Sequence, residues 1–385
     1  MKLVDKEQLN DIREAVQAVC ADFPGEYWRE LDRERAYPTE FTRAMTESGF
    51  LGALIPEEYG GSGLGLVAAT AILEEIHRSG CNAGACHAQM YTMGTVLRYG
   101  SREQKQRWLP GIASGDLRLQ AFGVTEPGSG TDTLALRTSA RLENGEYFVN
   151  GQKIWTSRAE HSDLMILLAR TTPREEVKRR TEGLSVLMVD MREAPGLSIT
   201  PIRTMMNHAT TQVFMDDVRV PAENLIGEEG KGFRYILDGM NAERTLIAAE
   251  CIGDGRWFID RAAAYAGERE VFGRPIGRNQ GVQFPIARAY ASVEAAALMV
   301  TGAAEKFDQG LSAGKEANMA KLLASEAAWE AAEACVQTFG GFGFAEEYDV
   351  ERKFRETRLY QVAPVSTNMI LSYIGQHVLG MPRSY

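Results

Sequence analysis

The chain has 385 residues, of which 44% are hydrophobic and 24% are charged, and its net charge is -10 at neutral pH. This length allows two or three domains with a sizeable buried core, and the composition is that of an ordinary globular protein. The acidic balance argues against nucleic acid as a partner, because no basic stretch compensates for it locally. The one dense basic cluster, Lys178–Arg180, stands in a polar stretch beside two glutamates and is interpreted as a solvated loop.

Five cysteines are scattered along the chain without a CxxC pair. This pattern predicts free thiols in a reducing compartment and no structural zinc or other metal site. The first residues, MKLVDKEQLNDIREAV, have the pattern of an amphipathic helix and not that of a signal or transit peptide. Because no apolar run of about 18 residues follows, no membrane span is predicted and we expect a cytoplasmic protein.

Residues 1–119 show the apolar spacing of helices. Helices are predicted over 9–19, 41–51, 66–77, 83–99 and, as a short turn that ends before Pro110, over 104–109.

The pattern changes after Leu119. Six or seven short segments rich in β-branched and aromatic residues follow, separated by Gly, Pro, Asn and Asp, and they predict a β-barrel or sandwich over 120–227. Residues 228–385 are helical again, with candidate helices over 231–266, 279–309, 314–340 and 366–379. The sequence therefore predicts an α+β fold in three domains, with helical domains at residues 1–119 and 228–385 around the β domain.

Glu243 lies on the apolar face of one of these helices, where the spacing calls for a hydrophobic residue. Ile236, Met240 and Ile247 share that face, and the neighbours three and four positions away include no basic residue. Burial without a local cation raises the pKa of a carboxyl group, as a general base near neutrality requires. The alternative is a structural glutamate that meets an arginine from another helix.

Four segments of the chain carry a family resemblance. Residues 121–132 read AFGVTEPGSGTD, residues 150–157 NGQKIWTS, residues 269–276 REVFGRPI and residues 337–344 QTFGGFGF. In this order and spacing they resemble the acyl-CoA dehydrogenases, flavoenzymes with an N-terminal α-helical domain, a middle β domain and a C-terminal four-helix bundle. The resemblance implies FAD as cofactor, an acyl-CoA substrate, a homotetramer, and electron-transferring flavoprotein as the electron acceptor.

The resemblance assigns the flavin ring to the β domain. It implies that Trp155 lies against the ring, that Ser157 donates near the reactive flavin nitrogen, and that Val124 and Thr125 bind the pyrimidine end. A flat ring with polar edges needs such a flat neighbour and such donors. The alternative for Trp155 is an anchor in the β-domain core.

The remaining cofactor contacts follow from the same resemblance. Arg269, Phe272 and Gln280 match residues that hold the ADP half of FAD, and the Gly340–Gly341 step allows the backbone to approach phosphates closely. In the family these contacts come from a neighbouring subunit. Other positions that match cofactor contacts are Phe122, Gly130, Thr131, Gln337, Ser366 and Asn368.

Substrate contacts are implied for Thr131, Asn241, Arg244 and Tyr91, and the alternative for Arg244 is a structural ion pair. Glu126 is expected to shape its loop and not to act in catalysis. Residues 205–211 read MMNHATT and replace a Ser-Asp-Thr-Arg-type sequence of the family, and no function is predicted for them.

The C-terminal segment departs from the commonest family pattern. Most members carry the catalytic glutamate in a Tyr-Glu-Gly-Thr sequence, but here residues 363–366 read APVS, and Pro364 cannot accept a proton. In isovaleryl-CoA and long-chain acyl-CoA dehydrogenases the base lies on the first long helix of the bundle, and Glu243 matches that position. The resemblance and the helical spacing thus select the same residue as the base.

The implied reaction is the α,β-dehydrogenation of an acyl-CoA thioester to trans-2-enoyl-CoA, with Glu243 taking the α-proton and the flavin accepting the β-hydride. Two alternatives stay open. One is a flavin-dependent oxidase or monooxygenase on the same fold, and the other is a non-catalytic nucleic-acid-associated relative, which the net charge disfavours. The length and branching of the acyl chain depend on pocket shape and are not predicted.

Overall fold

The structure is a computed structural model that describes residues 4–382. The chain divides into two compact units, each assembled from separate stretches of sequence. The helical unit is formed by the described parts of 1–34, 64–83 and 241–385, and the mixed unit by 35–63 and 84–240. The N-terminal helices therefore contribute to both units, so a unit of the structure is not a continuous stretch of sequence.

The helices, in chain order, are α1 (Lys6–Ala21), α2 (Gly25–Glu34), α3 (Thr39–Glu47), α4 (Leu66–Arg78), α5 (Gly84–Tyr99), α6 (Arg102–Ser114), α7 (Gly232–Glu268), α8 (Gln280–Asp308), α9 (Gly314–Phe339), α10 (Val350–Leu359) and α11 (Thr367–Tyr373). None of these described helices combines the length and the apolar character that a membrane crossing needs. The predicted end of α6 before Pro110 is wrong. Because proline has no N–H group, Pro110 leaves the carbonyl of Gln106 without its helical hydrogen bond. Both residues are exposed, so water can replace the missing bond.

The strands are β1 (Leu119–Gly123), β2 (Ser139–Glu143), β3 (Glu146–Ser157), β4 (Leu164–Arg170), β5 (Leu184–Asp190), β6 (Leu197–Pro201), β7 (Thr210–Pro221) and β8 (Leu225–Ile226), followed by the hairpin β9 (Glu270–Val271) and β10 (Arg274–Pro275). The first eight form one sheet in the order β6-β7-β3-β2-β4-β5-β8, with β1 paired to β4. A single pair, Ser139 with Arg170, joins β2 to β4. Buried residues of β3 and β7 pack with those of β4 and β5 in one core, so the two halves of the sheet form a sandwich.

The helical unit has a core in which alanine recurs along α8 and α9. Ala289, Ala296 and Ala303 follow each other at seven-residue spacing on α8, and each is fully buried or nearly so. Small side chains on facing stripes allow two helices to approach closely and still exclude water. All five cysteines lie in the described part of the chain, where they are buried and form no disulfide bond, at Cys20, Cys81, Cys86, Cys251 and Cys335.

Asp308, at the end of α8, caps the start of α4. Its carboxylate accepts hydrogen bonds from the backbone N–H groups of Leu66 (2.6 Å) and Val67 (3.0 Å). These two groups belong to the first turn of α4, where no intrahelical acceptor exists. Gly65 leaves room for the carboxylate, because a Cβ at that position would clash with it. The helix cap is therefore supplied by a residue 242 positions away in the chain.

A buried charge cluster joins α4, α7 and α10. His77 Nδ1 lies 2.8 Å from Asp254 Oδ1, and the Lys353 ammonium contacts Asp254 and lies 3.1 Å from Glu356 Oε2. Burial raises the pKa of Asp254, but Lys353 and His77 lower it by more than burial raises it, so that the pKa is about 2. The groups of His77, Asp254 and Glu356 lie within 4.8 Å of one another, as metal ligands do. Lys353 supplies the positive charge among them, so the cluster is balanced by a side chain.

Candidate active site

Trp155 interrupts the pairing of β3 with β7. The register shifts between Ile154 and Thr156, and Trp155 has a φ of +60°, so it forms a bulge with one residue left over. Its side chain is 57% exposed. The alternative role as a core anchor is therefore wrong. An indole held outward on a strained backbone is suited to lie against a flat ligand.

Ser157 ends the same strand, and its hydroxyl contacts the segment that precedes β7. The Asn207 side-chain amide donates to Ser157 Oγ at 3.0 Å, and Arg158 Nη2 donates to Asn207 Oδ1 at 3.3 Å. Ser157 is half-buried, so its hydroxyl is still accessible from one side. Ser157, which the resemblance assigns to the flavin, thus has a side-chain partner, Asn207, that the sequence did not indicate.

The flavin-edge loop, residues 124–130, is held by a buried ion pair. Lys153 Nζ donates to Val124 O at 3.1 Å and to Glu126 Oε1 at 2.9 Å, and the Ile154 N–H donates to Thr125 O at 2.9 Å. Both carbonyls are thus engaged by protein donors. Within the loop, the Glu126 and Ser129 N–H groups each donate to the other residue's carbonyl, at 3.3 and 3.0 Å. The other N–H groups of the loop and the Thr125 hydroxyl are then the groups that can meet the polar edge of a flavin.

Glu126 has the structural role that was expected for it. Its carboxylate accepts the backbone N–H groups of Arg137 (2.6 Å) and Thr138 (2.8 Å) in addition to the Lys153 ammonium. Burial raises the pKa of Glu126, but Lys153 and these donors lower it more, so the net shift is downward. Burial lowers the pKa of Lys153 to about 8 although Glu126 opposes that shift. Both carboxylate oxygens of Glu126 thus accept hydrogen bonds that hold the loop.

Tyr91 and Phe122 lie next to each other in the mixed unit. Their rings meet edge to face with centroids 5.3 Å apart, and the His87 ring lies 5.0 Å from that of Tyr91. Phe122 is the fourth residue of β1 and lies two residues before the flavin-edge loop. The structure therefore brings the predicted substrate residue Tyr91 to the strand that leads into the predicted flavin contacts.

Gly130 and Thr131 are both exposed, at the end of the flavin-edge loop. The next residue, Asp132, pairs with Arg180 at 2.8 Å. Arg180 belongs to the basic cluster that was interpreted as a solvated loop. That interpretation is incomplete, because Arg180 also lines a cleft of about 1100 Å³ in the mixed unit.

This basic cleft is a feature that sequence reasoning missed. Its arginines are Arg137, Arg141, Arg170, Arg174 and Arg180, whereas its acidic lining residues are Glu175 and Glu229. Arg170 donates to Leu134 O at 3.1 Å through Nη2, while its buried Nη1 has no hydrogen-bond partner among the described residues. A buried guanidinium nitrogen without an acceptor favours binding of an anion such as a phosphate. The arginines come from separate parts of the chain, so no local motif indicates them.

In the helical unit, Glu243 is buried on α7, with 7% of its surface exposed. Arg244 Nη1 donates to Asn241 Oδ1 at 3.0 Å, one helical turn away, and Arg244 Nε is buried without a hydrogen-bond partner in the described residues. Burial lowers the pKa of Arg244, and the charges of Glu243 and Tyr373 oppose this shift. The predicted base thus lies beside a partly satisfied buried cation.

A second buried cation, Lys321 of α9, belongs to the same region. Its ammonium donates to Val365 O at 2.7 Å, next to Pro364. Burial lowers the pKa of Lys321 to about 8, with Arg244 lowering it and Cys251 and Glu243 raising it. Lys321 is another residue that sequence reasoning missed. An α-helical apolar stripe does not distinguish a lysine that turns inward from one at the surface.

Two predicted cofactor residues lie just after Pro364. Ser366 is the N-cap of α11, and its hydroxyl accepts from the Met369 N–H at 3.4 Å. Asn368 is exposed in the first turn of the same helix. The Ser366 hydroxyl keeps its hydrogen for donation, so capping and cofactor binding are compatible.

The β9–β10 hairpin presents Phe272 at its tip. Phe272 (φ +53°) and Gly273 (φ +76°) are both left-handed, as the central residues of a tight two-residue hairpin must be, and Phe272 is fully exposed. The Arg269 guanidinium lies 5.8 Å from the centroid of the Phe342 ring. This contact brings the hairpin beside the turn that follows α9.

The remaining ADP-half residues of the prediction surround this hairpin or the same turn. Gln280 starts α8, Gln337 lies in the last turn of α9, and Gly340 has a φ of +58° that favours glycine. All of them and Gly341 are exposed. They form an open surface that presents the Arg269 guanidinium and the side-chain amides of two glutamines, which fits the phosphates of a nucleotide.

Comparisons with known proteins agree over the whole chain. Family models match at residues 6–116 for the acyl-CoA dehydrogenase N-terminal domain, 121–218 for the middle domain and 230–379 for the C-terminal domain. Acyl-CoA dehydrogenase FadE12 of Mycobacterium tuberculosis is 35% identical over 387 residues, which covers 99% of this chain and 98% of that protein. Glutaryl-CoA dehydrogenase of Desulfococcus multivorans is 35% identical over 362 residues, or 92% of each chain.

A solved structure of glutaryl-CoA dehydrogenase in complex with glutaryl-CoA is similar as well. It has a TM-score of 0.92 and 32% identity, and the match covers 100% of this chain and 98% of that one. The chain belongs to the acyl-CoA dehydrogenase family. It is an FAD-dependent oxidoreductase, and the predicted fold is confirmed.

Proposed function

We propose that the protein catalyses the α,β-dehydrogenation of an acyl-CoA thioester to trans-2-enoyl-CoA, with Glu243 as the catalytic base. The observation that carries the proposal is the buried carboxylate of Glu243 on α7, in a chain that has Pro364 where most relatives have their base. A base must be able to accept a proton, and proline has no group that does so. Glu243 matches the second position that the family uses.

The thioester carbonyl acidifies the α-C–H bond, and hydrogen-bond donors at the carbonyl oxygen stabilise the developing negative charge. When bound, FAD accepts the hydride that leaves the β-carbon. Glu243 removes the α-proton, and its burial keeps water from competing for that proton. Arg244 and Asn241, which bond to each other, hold the polar surface beside the base.

Trp155, Ser157 and the flavin-edge loop are proposed to bind the flavin ring. Trp155 offers an exposed aromatic face, and the loop offers donors whose positions are set by Lys153 and Glu126. A flavin needs both kinds of group. This assignment rests on the geometry of the mixed unit and on the match to family positions.

The basic cleft is proposed to receive the phosphates of coenzyme A. Five arginines against two glutamates line it, and Arg170 has a buried nitrogen for which residues 4–382 supply no acceptor. Phosphate oxygens are the acceptors that a guanidinium group binds best. Thr131 directly precedes Asp132, which pairs with Arg180 of this cleft. It is proposed to contact the pantetheine arm or the acyl group.

We further propose a homotetramer that transfers electrons to electron-transferring flavoprotein. Phe272, Phe284 and Phe344 are exposed in the helical unit, at 59% or more of their surface. Large exposed apolar side chains of this kind mark interfaces. The five buried cysteines, none of which forms a disulfide bond, favour a reducing setting, and we propose a cytoplasmic location.

The first test is an anaerobic titration with butyryl-, isobutyryl-, isovaleryl-, octanoyl- and glutaryl-CoA, monitored by bleaching of the flavin absorption. We expect the wild type to bleach with one class and Glu243→Gln to bleach about a thousand times more slowly. Glu250→Gln is the matched control, because Glu250 is also buried on α7, seven residues further on the same face, and we expect it to retain bleaching.

Each outcome decides a different part of the proposal. Bleaching of Glu243→Gln at the wild-type rate would make Glu243 a structural glutamate. Loss of bleaching only in Glu250→Gln would move the base one heptad along α7. A wild type that bleaches with no thioester would contradict the dehydrogenase activity. Rapid oxygen consumption by the reduced enzyme would favour the alternative, an oxidase on this fold.

A further inference from the structure

Asn207 belongs to the segment of residues 205–211, which differs from the family and has no predicted function. In the structure its side chain lies between Arg158 and Ser157. The inference drawn from it rests on the proposed function, in which Ser157 faces the flavin. What it adds is a reason for the direction in which the Ser157 hydroxyl points.

The chemistry of the three side chains sets one direction for the hydrogen bonds. The guanidinium of Arg158 can only donate, so the Asn207 atom 3.3 Å from it must be the amide oxygen. The amide nitrogen then faces Ser157 and donates to Oγ at 3.0 Å. Because the Ser157 oxygen accepts this bond, its own hydrogen must point elsewhere. A flipped amide would place NH₂ against a guanidinium and is excluded by that repulsion.

Backbone contacts hold Asn207 in this position. Asn207 has a φ of +54°, a conformation that asparagine tolerates better than most residues. Its carbonyl accepts from the Thr210 N–H at 3.1 Å and from the Thr210 hydroxyl at 2.7 Å. Arg35 donates to Thr204 O at 3.0 Å on the other side of the segment. The backbone that carries the Asn207 side chain is thus held at Thr204 and at Asn207, as a positioning group requires.

We propose that Asn207 is a positioning residue that makes the Ser157 hydroxyl a one-way donor toward the bound flavin, with Arg158 fixing the orientation of the Asn207 amide. A donor beside the part of a ligand that gains electron density stabilises the reduced form of that ligand. The Arg158–Asn207–Ser157 chain therefore raises the reduction potential of bound FAD. A freely rotating hydroxyl would divide its time between donating and accepting.

The test is the two-electron midpoint potential and the visible spectrum of bound FAD in Asn207→Asp. Aspartate has nearly the same shape but offers only acceptors, so the Ser157 hydrogen turns toward residue 207. We expect the ratio of reduced to oxidised flavin at a given potential to fall at least tenfold, which is about 30 mV for a two-electron couple. Ser157→Ala, which removes the hydroxyl, should shift the potential in the same direction.

The double variant Asn207→Asp/Ser157→Ala separates hydrogen-bond direction from added charge. If direction matters, the shift caused by Asn207→Asp falls to less than half when Ser157 is absent. A shift of the same size with and without Ser157 would mean that charge alone acts, and it would overturn the inference. Asn207→Gly, which keeps the left-handed turn without strain, should give a smaller fall and serves if the aspartate variant loses FAD.

Thr204→Val is the matched control in the same segment. The Thr204 hydroxyl donates to the backbone carbonyl of Asn207 at 3.4 Å and not to its side-chain amide. We therefore expect an unchanged potential and spectrum. If Ser157→Ala also left both unchanged, the flavin contact of the proposed function would fail, and the inference with it. If Ser157→Ala lowered the potential and the Asn207 variants did not, only the role of Asn207 would be overturned.

Discussion

Substitution of Glu126 by glutamine would test how much the flavin-edge loop depends on a buried charge. Its carboxylate serves three donors: the backbone N–H groups of Arg137 and Thr138 and the ammonium of Lys153. Glutamine has the same shape but only one acceptor oxygen, so in Glu126→Gln at least one donor faces an NH₂ group. We expect that loss to lower the free energy of unfolding by about 1–3 kcal/mol.

Lys153 adds a second, pH-dependent cost. Burial lowers its pKa to about 8 with Glu126 in place, and loss of the carboxylate lowers that pKa further. Once the pKa lies below 7, the amine is neutral at pH 7 and cannot cost more. The added loss is then limited to the free energy of the interval between 8 and 7, about 1.4 kcal/mol. Together the two contributions reach about 2–4 kcal/mol at pH 7.

The sign of the pH dependence follows from the same values. Since the folded pKa of Lys153 lies below the value of about 10.4 in an unfolded chain, its charged form opposes folding below pH 8. This penalty is relieved between about pH 8 and pH 10.4. At pH 9 the folded wild type and the folded variant are both largely neutral at Lys153. The stability difference between them therefore narrows by about 1.4 kcal/mol from pH 7 to pH 9.

The assay is urea unfolding of the FAD-bound protein at pH 7 and pH 9, followed by far-UV circular dichroism. Comparison of Glu126→Gln/Lys153→Met with Lys153→Met alone supplies the control, because neither protein has the titrating amine. Their difference should not change between the two pH values. A Glu126→Gln penalty that is equal at both pH values, or below about 1 kcal/mol at pH 7, would refute the reasoning.

Two further predictions concern the helical unit. Phe272→Gly replaces a residue with a left-handed backbone, so we expect the free energy of unfolding of the dissociated chain in urea to rise by about 1 kcal/mol. We also expect weaker self-association in analytical ultracentrifugation, and unchanged association would show that Phe272 is not part of the interface. Asp308→Ala removes the cap of α4, and we expect the free energy of unfolding in urea to fall by about 1–2 kcal/mol. Asp308→Asn should partly restore it, and an unchanged urea midpoint in Asp308→Ala would show that the cap contributes nothing.

The strands were predictable because most of them keep a regular pattern along the sequence. All seven predicted β segments are strands, and the additional strands β8, β9 and β10 have only two residues each. Helix α2 was not predicted, because its ten residues are mostly charged and only Trp28 is buried. The bulge at Trp155 depends on the register of β7, which begins more than 50 residues later. Register of that kind is set by packing and not by local spacing.

The candidate site divides in the same way. Glu243 could be proposed as the base from the sequence because a carboxylate on an apolar stripe breaks a local pattern. The basic cleft was not, because Arg137 and Arg180 look like ordinary surface residues in their own segments. Asn207 became meaningful only through its distances to Arg158 and Ser157. Polar or charged residues that act through partners far away in the chain have no signature in a single sequence.

The buried thiols make the protein its own reporter of local opening. Each of the five cysteines is buried and none forms a disulfide bond. Four of them lie on α1, α5, α7 and α9, and Cys81 lies three residues after the end of α4. A thiol reagent can react only when the surrounding helix opens. The rate of labelling at each cysteine, read by mass spectrometry, therefore gives an opening rate for its own part of the molecule. Four of these clocks lie in the helical unit and one, Cys86, in the mixed unit.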